Sequence, residues 1–465
     1  MRHGRAHTSP LALLALGGLA LVGALSSCGG GLASSDDDAE PTGAGGEAAL
    51  TLEDQALLAI SEDAAVAERA IAALREAGPR GHAALIARHG WTLEVLRQSP
   101  PATLDPSHER LRHAMDVVSG QRDGHASGLY WHTDLEAAQR EARETGRPIL
   151  SLRMLGRLDE EMSCANSRYF RVVLYANHAL SSYLREHYVL HWSSERPVPR
   201  ITIDMGDGRR LERTITGNSI HYVLDADGRV IDAMPGLLGP REMQAFLSEA
   251  EHAHLASRGS LEDAELGTGE AAIARHLART GARERSALLA ARRAFPSIPD
   301  PLAAANGPAP EAPSALIAMP LTVSKLAVEG AMVDAMRAPG VDPVEVGPVD
   351  WARVGLEVFR LEAGGIFDAQ SLALLRLKTG RDEASERALV EALSRTVVGD
   401  TARNRATFRQ TLLAWLSAAR PEGEARPTLA DFNERVYRDL FLTPASDPWL
   451  GLQDPTVWDA IERLH

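Results

Sequence analysis

The spacing of apolar residues predicts helices in the part of the chain that follows residue 49. Val66, Ala70 and Leu74 recur at intervals of four residues, which places them on one face of a helix. The Gly78-Pro79 pair breaks that helix, and a second apolar face begins at Leu85-Ile86. We therefore expect residues 50–118 to be helical. The small and polar residues at 119–128 indicate a linker.

The pattern changes at residue 129, where short apolar runs of strand length alternate with helical spacing. Gly206-Asp207-Gly208 and Asp227-Gly228 each lie between two such runs, which is a strong hairpin signal. The predicted elements are a helix at 134–145, a strand at 148–154, a helix that ends near residue 187, a strand at 188–192, hairpins at 200–215 and 220–234, and a helix at 240–250. Residues 129–252 are thus expected to be an α/β domain with a mixed sheet.

From residue 253 to residue 465 the helical pattern returns, and no strand pattern follows the Pro/Ala-rich stretch at 305–313. Two apolar faces carry the prediction: the first is Leu389, Val390, Leu393 and Val397, and the second is Phe408, Leu412, Trp415 and Leu416. We expect an all-helical C-terminal region that is larger than the N-terminal one.

The first 28 residues have the layout of an export signal. Arg2 and Arg5 precede an apolar run at 11–25, which is too short for a comfortable membrane span, and Leu25-Ser26-Ser27-Cys28 follows. This motif resembles the lipobox of bacterial lipoproteins, which implies that residues 1–27 are removed and that Cys28 is lipidated. The alternative is an ordinary signal peptide that is cleaved elsewhere.

The polar, acidic stretch at 28–49 is expected to be a flexible tether. The predicted location is the bacterial cell envelope, facing the periplasm or the exterior, with the membrane as a partner through the lipid anchor.

The net charge of −14 argues against nucleic acid as a partner. Only two cysteines are present, Cys28 and Cys164, and this count excludes a framework of several disulfides.

Residues 129–252, about a quarter of the chain by length, resemble thioredoxin-like domains of the envelope type. The resemblance rests on Trp131 and on the stretches 134–138, 146–150, 180–189 and 223–230. It implies a thioredoxin-like mixed sheet with flanking helices, set between the N-terminal helical segment and the helical C-terminal region.

The family's Cys-x-x-Cys pair falls on Cys164 and Ser167, so the resemblance implies a site with one thiol. The cis-proline that faces this pair in the family falls on Asn218 or Ser219. A thiolate is stabilised at a helix N-terminus. The positive charge of Arg168 would further stabilise the thiolate of Cys164. The negative charges of Asp159, Glu160 and Glu161 would destabilise it.

Two hypotheses remain open. In the first, Cys164 performs monothiol exchange or isomerisation with thiol- or disulfide-containing envelope proteins, since a lone thiol can form a mixed disulfide but cannot resolve it. In the second, Cys164 is a buried structural residue and the domain is a non-catalytic scaffold.

No cofactor or metal is expected. Lys378-Thr379-Gly380 lacks the Ser-x-x-Lys partner of serine β-lactamases and is interpreted as a helix C-terminus.

Overall fold

The computed structural model describes residues 50–100, 103–215, 218–300, 349–421 and 424–447. The predicted signal peptide, the lipidation site Cys28, the tether and the Pro/Ala-rich stretch lie outside the described residues.

Four helices form the N-terminal region, as predicted: α1 (Leu52–Leu58), α2 (Ala64–Glu76), α3 (Pro79–Gln98) and α4 (Pro106–Ser119). Side chains of Thr51, Asp63 and Asp105 accept hydrogen bonds from the first turns of α1, α2 and α4. Gly78 precedes α3 with φ of 68°, which suits glycine best. The apolar faces of these helices share a core of their own.

The segment 119–128 is not a linker, and that prediction is wrong. It contains a short helix, α5 (Gly124–Ser127), and its polar side chains are buried: Gln121 and Asp123 are 0% exposed. Trp131 donates to Oε1 of Gln121 at 2.8 Å, and Lys378 lies 2.9 Å from Asp123. A polar segment leaves water when distant side chains satisfy it, and its composition alone does not reveal those partners.

The central region begins with α6 (Leu135–Thr145) and β1 (Ile149–Met154). A helix follows as α7 (Ala165–Tyr169), which continues into a π-helical turn at Phe170–Leu174. Next come α8 (His178–His187) and β2 (Val189–Ser194), which pairs in parallel with β1.

Two hairpins and a long helix complete this region, as predicted. The hairpin of β3 (Arg200–Asp204) and β4 (Arg210–Thr214) forms a separate two-stranded sheet. The other strands, β5 (Ser219–Leu224) and β6 (Val230–Pro235), join the main sheet in the order β2–β1–β5–β6. Every residue of β5 and β6 is buried. Since successive side chains point to opposite faces, both faces of these strands are covered.

The C-terminal region is helical in its described residues, as predicted. Its helices are α9 (Pro240–Ser257), which leads out of the sheet, α10 (Gly269–Ala294), α11 (Trp351–Glu357), α12 (Ala369–Thr379), α13 (Glu383–Ala406), α14 (Phe408–Leu416) and α15 (Leu429–Arg435), the last continuing as a π-helical turn at Val436–Leu440. One hydrophobic core contains both the sheet and these helices. No described helix is long and apolar enough to cross a membrane.

Candidate functional site

Cys164 is the N-cap residue of α7, so the predicted position at a helix start is confirmed. Its backbone is extended, with φ of −60° and ψ of 160°, and its carbonyl accepts from the N–H of Arg168 at 3.1 Å. Only 1% of Cys164 is exposed. The thiol therefore lies at the predicted place along the chain but inside the hydrophobic core.

Ser167, which occupies the second position of the predicted pair, is 0% exposed. The hydroxyl of Ser163 donates to Oγ of Ser167 at 3.0 Å, and Nη2 of Arg171 donates to Oγ of Ser163 at 3.3 Å. Thr214 also donates to the carbonyl of Ser163, at 3.3 Å. The two serines thus belong to a buried polar network that holds the loop before α7 in place.

Asn218 and Ser219 lie beside this network. Nδ2 of Asn166, two residues after the thiol, donates to Oγ of Ser219 at 2.9 Å and so joins α7 to the start of β5. Asn218 and Ser219 are 4% and 1% exposed. No peptide bond of the described residues is cis. The turn that would face the thiol is therefore filled by short polar side chains that bind protein groups.

The C-terminal region covers this turn. The hydroxyl of Tyr437 donates to the carbonyl of Asn218 at 3.0 Å, and Nδ2 of Asn218 donates to the carbonyl of Phe441 at 3.5 Å. Burial raises the pKa of Tyr437 well above its usual value, and the charges of Glu195 and then weaker neighbours, Cys164 among them, add to the effect. Tyr437 thus stays protonated as a donor, and it lies near the thiol.

The charged residues predicted to tune the thiol are engaged elsewhere. Arg157 lies 2.6 Å from Asp159 and 3.5 Å from Glu160. Glu161 lies 3.0 Å from Arg122 and 3.1 Å from Lys378. Arg168, the predicted helper, is only partly buried. The buried guanidinium that contacts the Ser163–Ser167 network belongs instead to Arg171, about one helical turn after Arg168.

A buried ionic cluster next to the site escaped the sequence analysis. Asp123 lies 2.9 Å from Lys378 and 3.6 Å from Arg171, and it has φ of 62°, which is unusual for a residue other than glycine. Burial acts to raise its pKa, but Lys378 and Arg171 outweigh burial and lower it. The prediction that Lys378 ends a helix is confirmed, because Gly380 caps α12 with φ of 57°.

The arrangement holds the thiol of Cys164 in the hydrophobic core, away from solvent. No group of three or more His, Cys, Asp or Glu residues in the described ranges is placed to hold a metal ion.

Comparisons of the chain with protein-family models, with curated proteins and with solved structures find no match.

Proposed function

We propose that this chain is an envelope-anchored lipoprotein whose central region is a thioredoxin-like domain that serves as a non-catalytic binding scaffold. The parallel pair β1–β2 and the antiparallel pair β5–β6 form the kind of mixed sheet that the resemblance implies, which supports the fold part of the proposal. The function part rests on the surroundings of Cys164.

The observation that carries the proposal is the burial of Cys164 beside the turn that Tyr437 covers, with a serine at the second position of the pair. A thiol exchanges with a disulfide by in-line attack on a sulfur atom, so it must reach that atom. At 1% exposure Cys164 cannot do so in the folded chain. The polar groups around it bind each other, as they do in a packed core.

Exchange with glutathione disulfide tests this proposal. The native full-length protein is incubated with the disulfide, and mixed disulfides are mapped by peptide mass spectrometry. We expect no glutathione on Cys164. The matched control is Ser260→Cys, at an exposed position after α9, which should acquire glutathione under the same conditions. A mixed disulfide forming on Cys164 as fast as on the control residue would overturn the proposal.

Monothiol exchange through Cys164 is the second candidate, and one observation favours it. Cys164 caps α7, where backbone N–H groups and the helix dipole stabilise a thiolate. This function requires that the segment around Tyr437 moves away from Asn218. The exchange experiment separates the two candidates, because only the second gives a mixed disulfide on Cys164.

The anchor is proposed from the sequence alone, from Leu25-Ser26-Ser27-Cys28 after the apolar run. Lipid attachment would hold the folded region at the membrane by way of the acidic tether, and more than one acyl chain gives lasting attachment. Cys28→Ala should release the protein from the membrane fraction or stop its maturation. Unchanged fractionation and unchanged mass of the variant would refute the anchor.

A further inference from the structure

A groove of about 410 Å³ lies where α3 meets the end of α8 and the start of β2. Its size is within the usual range for small-molecule sites. One wall is apolar and is formed by Ala83, Ile86, Ala87, Leu184 and Val189. Polar side chains also line the groove: His82, Tyr130, His132, Glu141, Arg147 and Arg185.

His82 in the polar wall is 5% exposed, and its Nε2 has no hydrogen-bond partner within the described part of the chain. Burial, with smaller contributions from the charges of Arg97, Arg75 and Arg185, lowers the pKa of His82 to about 4. The imidazole is therefore neutral at pH 7. A buried polar atom without a partner destabilises the fold, and a ligand group is one way to satisfy it.

Two guanidinium groups converge at the edge of the groove. A Cβ atom at Gly128 would lie 2.8 Å from Nη2 of Arg97 and 3.7 Å from Nη1 of Arg185, so both side chains reach the same point above this glycine. Gly128 has φ of 60° and lines the groove. Like charges this close repel each other unless an anion lies between them.

Backbone carbonyls accept hydrogen bonds from both arginines, and the half-exposed carboxylate of Glu94 compensates only part of the charge of Arg97. Nε of Arg97 donates to the carbonyl of His125 at 2.7 Å, and Nη1 of Arg185 donates to the carbonyl of Ser127 at 2.6 Å. The closest carboxylate to Arg97 is that of Glu94, which is 3.7 Å away and half exposed. Carbonyl groups orient a guanidinium but do not cancel its charge.

Glu141, the acidic residue of the polar wall, is already neutralised. It accepts from Nη2 of Arg147 at 2.6 Å, and its other oxygen lies 2.7 Å from Nε2 of His132. Glu141 and Arg147 form a closed pair, so Arg185 carries the remaining positive charge among the residues that line the groove, with Arg97 behind Gly128 at its edge. This positive site stands out in a chain of net charge −14.

We propose that the groove binds a small amphipathic anion, a carboxylate or phosphate ester of an apolar group. Its oxyanion would lie between Arg97 and Arg185 beside Gly128, and its apolar part would pack between α3 and α8. Guanidinium groups suit planar carboxylates and phosphates because they present paired donors. The proposal is independent of the role of Cys164.

Titration calorimetry of the full-length protein with naphthalene derivatives tests the proposal. The probes are 2-naphthoate, 2-naphthyl phosphate, the uncharged 2-naphthol and inorganic phosphate. We expect at least one of the two amphipathic anions to bind, and the better of them identifies carboxylate or phosphate as the preferred group. Both 2-naphthol and inorganic phosphate should bind about tenfold more weakly or worse, because each lacks half of the recognised chemistry.

Variants locate the site. Arg185→Gln should weaken binding of the anion about tenfold or more, whereas Arg88→Gln, an exposed arginine on α3, should leave it unchanged. Ala83→Trp fills the groove from an exposed position and should abolish binding without unfolding the chain. Equal affinities of Arg185→Gln and Arg88→Gln, equal affinities for naphthoate and naphthol, or no binding of either anion at about 1 mM would each overturn the proposal.

Discussion

Asp116 on α4 is a carboxylate that folding removes from water. It accepts from Nη1 of Arg122 at 2.9 Å and from the N–H of Gly124 at 2.9 Å. Burial, with a smaller contribution from Asp123, nevertheless raises the pKa of Asp116 to about 7. At neutral pH this side chain is half protonated in the folded state, and it is ionised in the unfolded chain.

The raised pKa predicts that Asp116 makes folding stability fall as pH rises from about 4 to about 7, because the folded state binds the proton more tightly than the unfolded state in that window. The slope is about 1.4 kcal/mol per pH unit. Asp116→Asn should remove this dependence, so that its stability relative to the wild type increases from pH 5 to pH 8 in urea unfolding. Glu136→Gln, an exposed carboxylate on α6, serves as the control. A difference between Asp116→Asn and wild type that does not change with pH would contradict the burial of an ionisable Asp116.

At the scale of elements, a buried ion pair joins the sheet to the C-terminal helices. Asp232 on β6 accepts from Nη2 of Arg409 on α14 at 2.8 Å and lies 2.9 Å from Nε2 of His276 on α10. Asp232 and Arg409 are each 1% exposed. Burial acts to raise the pKa of Asp232, but Arg409 and His276 outweigh it and lower the pKa strongly.

Removal of one member of this pair leaves a buried charge without compensation. Arg409→Met should therefore lower the free energy of unfolding by about 3–5 kcal/mol. The control is Arg387→Met, which breaks an exposed pair with Glu383 on α13 and should cost less than about 1 kcal/mol. The pair's contribution should be complete above about pH 4 and lost as the pH falls through the lowered pKa of Asp232, by the linkage of protonation to folding. Equal effects of the two variants in chemical denaturation would argue against the pair.

The hairpin of β3 and β4 is largely exposed, and we expect it to contribute little to the free energy of unfolding. In each of the two strands, four of the five residues are exposed. Ile203 in β3 and Met205 just after it are 41% and 56% exposed. Ile215 closes its base by donating to the carbonyl of Pro199 at 3.0 Å. Replacing residues 202–212 with a short Gly-Ser connector should shift the thermal midpoint by no more than a few °C, since an isolated hairpin is marginally stable. A large drop in the midpoint would mean that the hairpin packs on the domain.

The sequence predicted elements best where the signal is local. Asp227-Gly228 and Gly206-Asp207-Gly208 specify turns, so both hairpins lie within a residue or two of their predicted positions. Helix α9 runs to Ser257 rather than ending at 250, because Ala253 and Ala256 continue its buried face. The π-helical turns at 170–174 and 436–440 gave no signal, since they depend on packing and not on residue type.

At the scale of the whole molecule, the site depends on contacts between residues that are 190 or more positions apart in the chain. Tyr437 bonds to Asn218, Lys378 bonds to Asp123, and Asp368 accepts from the N–H of His178 at 2.7 Å. The sequence placed Cys164 at a helix start, but no local pattern indicates which distant segment covers it. The accessibility of the thiol therefore could not be predicted, although its position could.

The proposed function requires that Cys164 stays buried in the folded chain, beside the turn that the C-terminal segment covers. The most direct test is the rate at which N-ethylmaleimide modifies Cys164 in the native full-length protein, measured by peptide mass spectrometry, against the rate in denaturant. We predict a native rate at least about a hundredfold lower, which corresponds to an opening free energy of about 3 kcal/mol. Ser260→Cys should be modified at similar rates in both states, and Tyr437→Ala should accelerate modification of Cys164. Native modification of Cys164 as fast as that of the Ser260→Cys control would contradict the account.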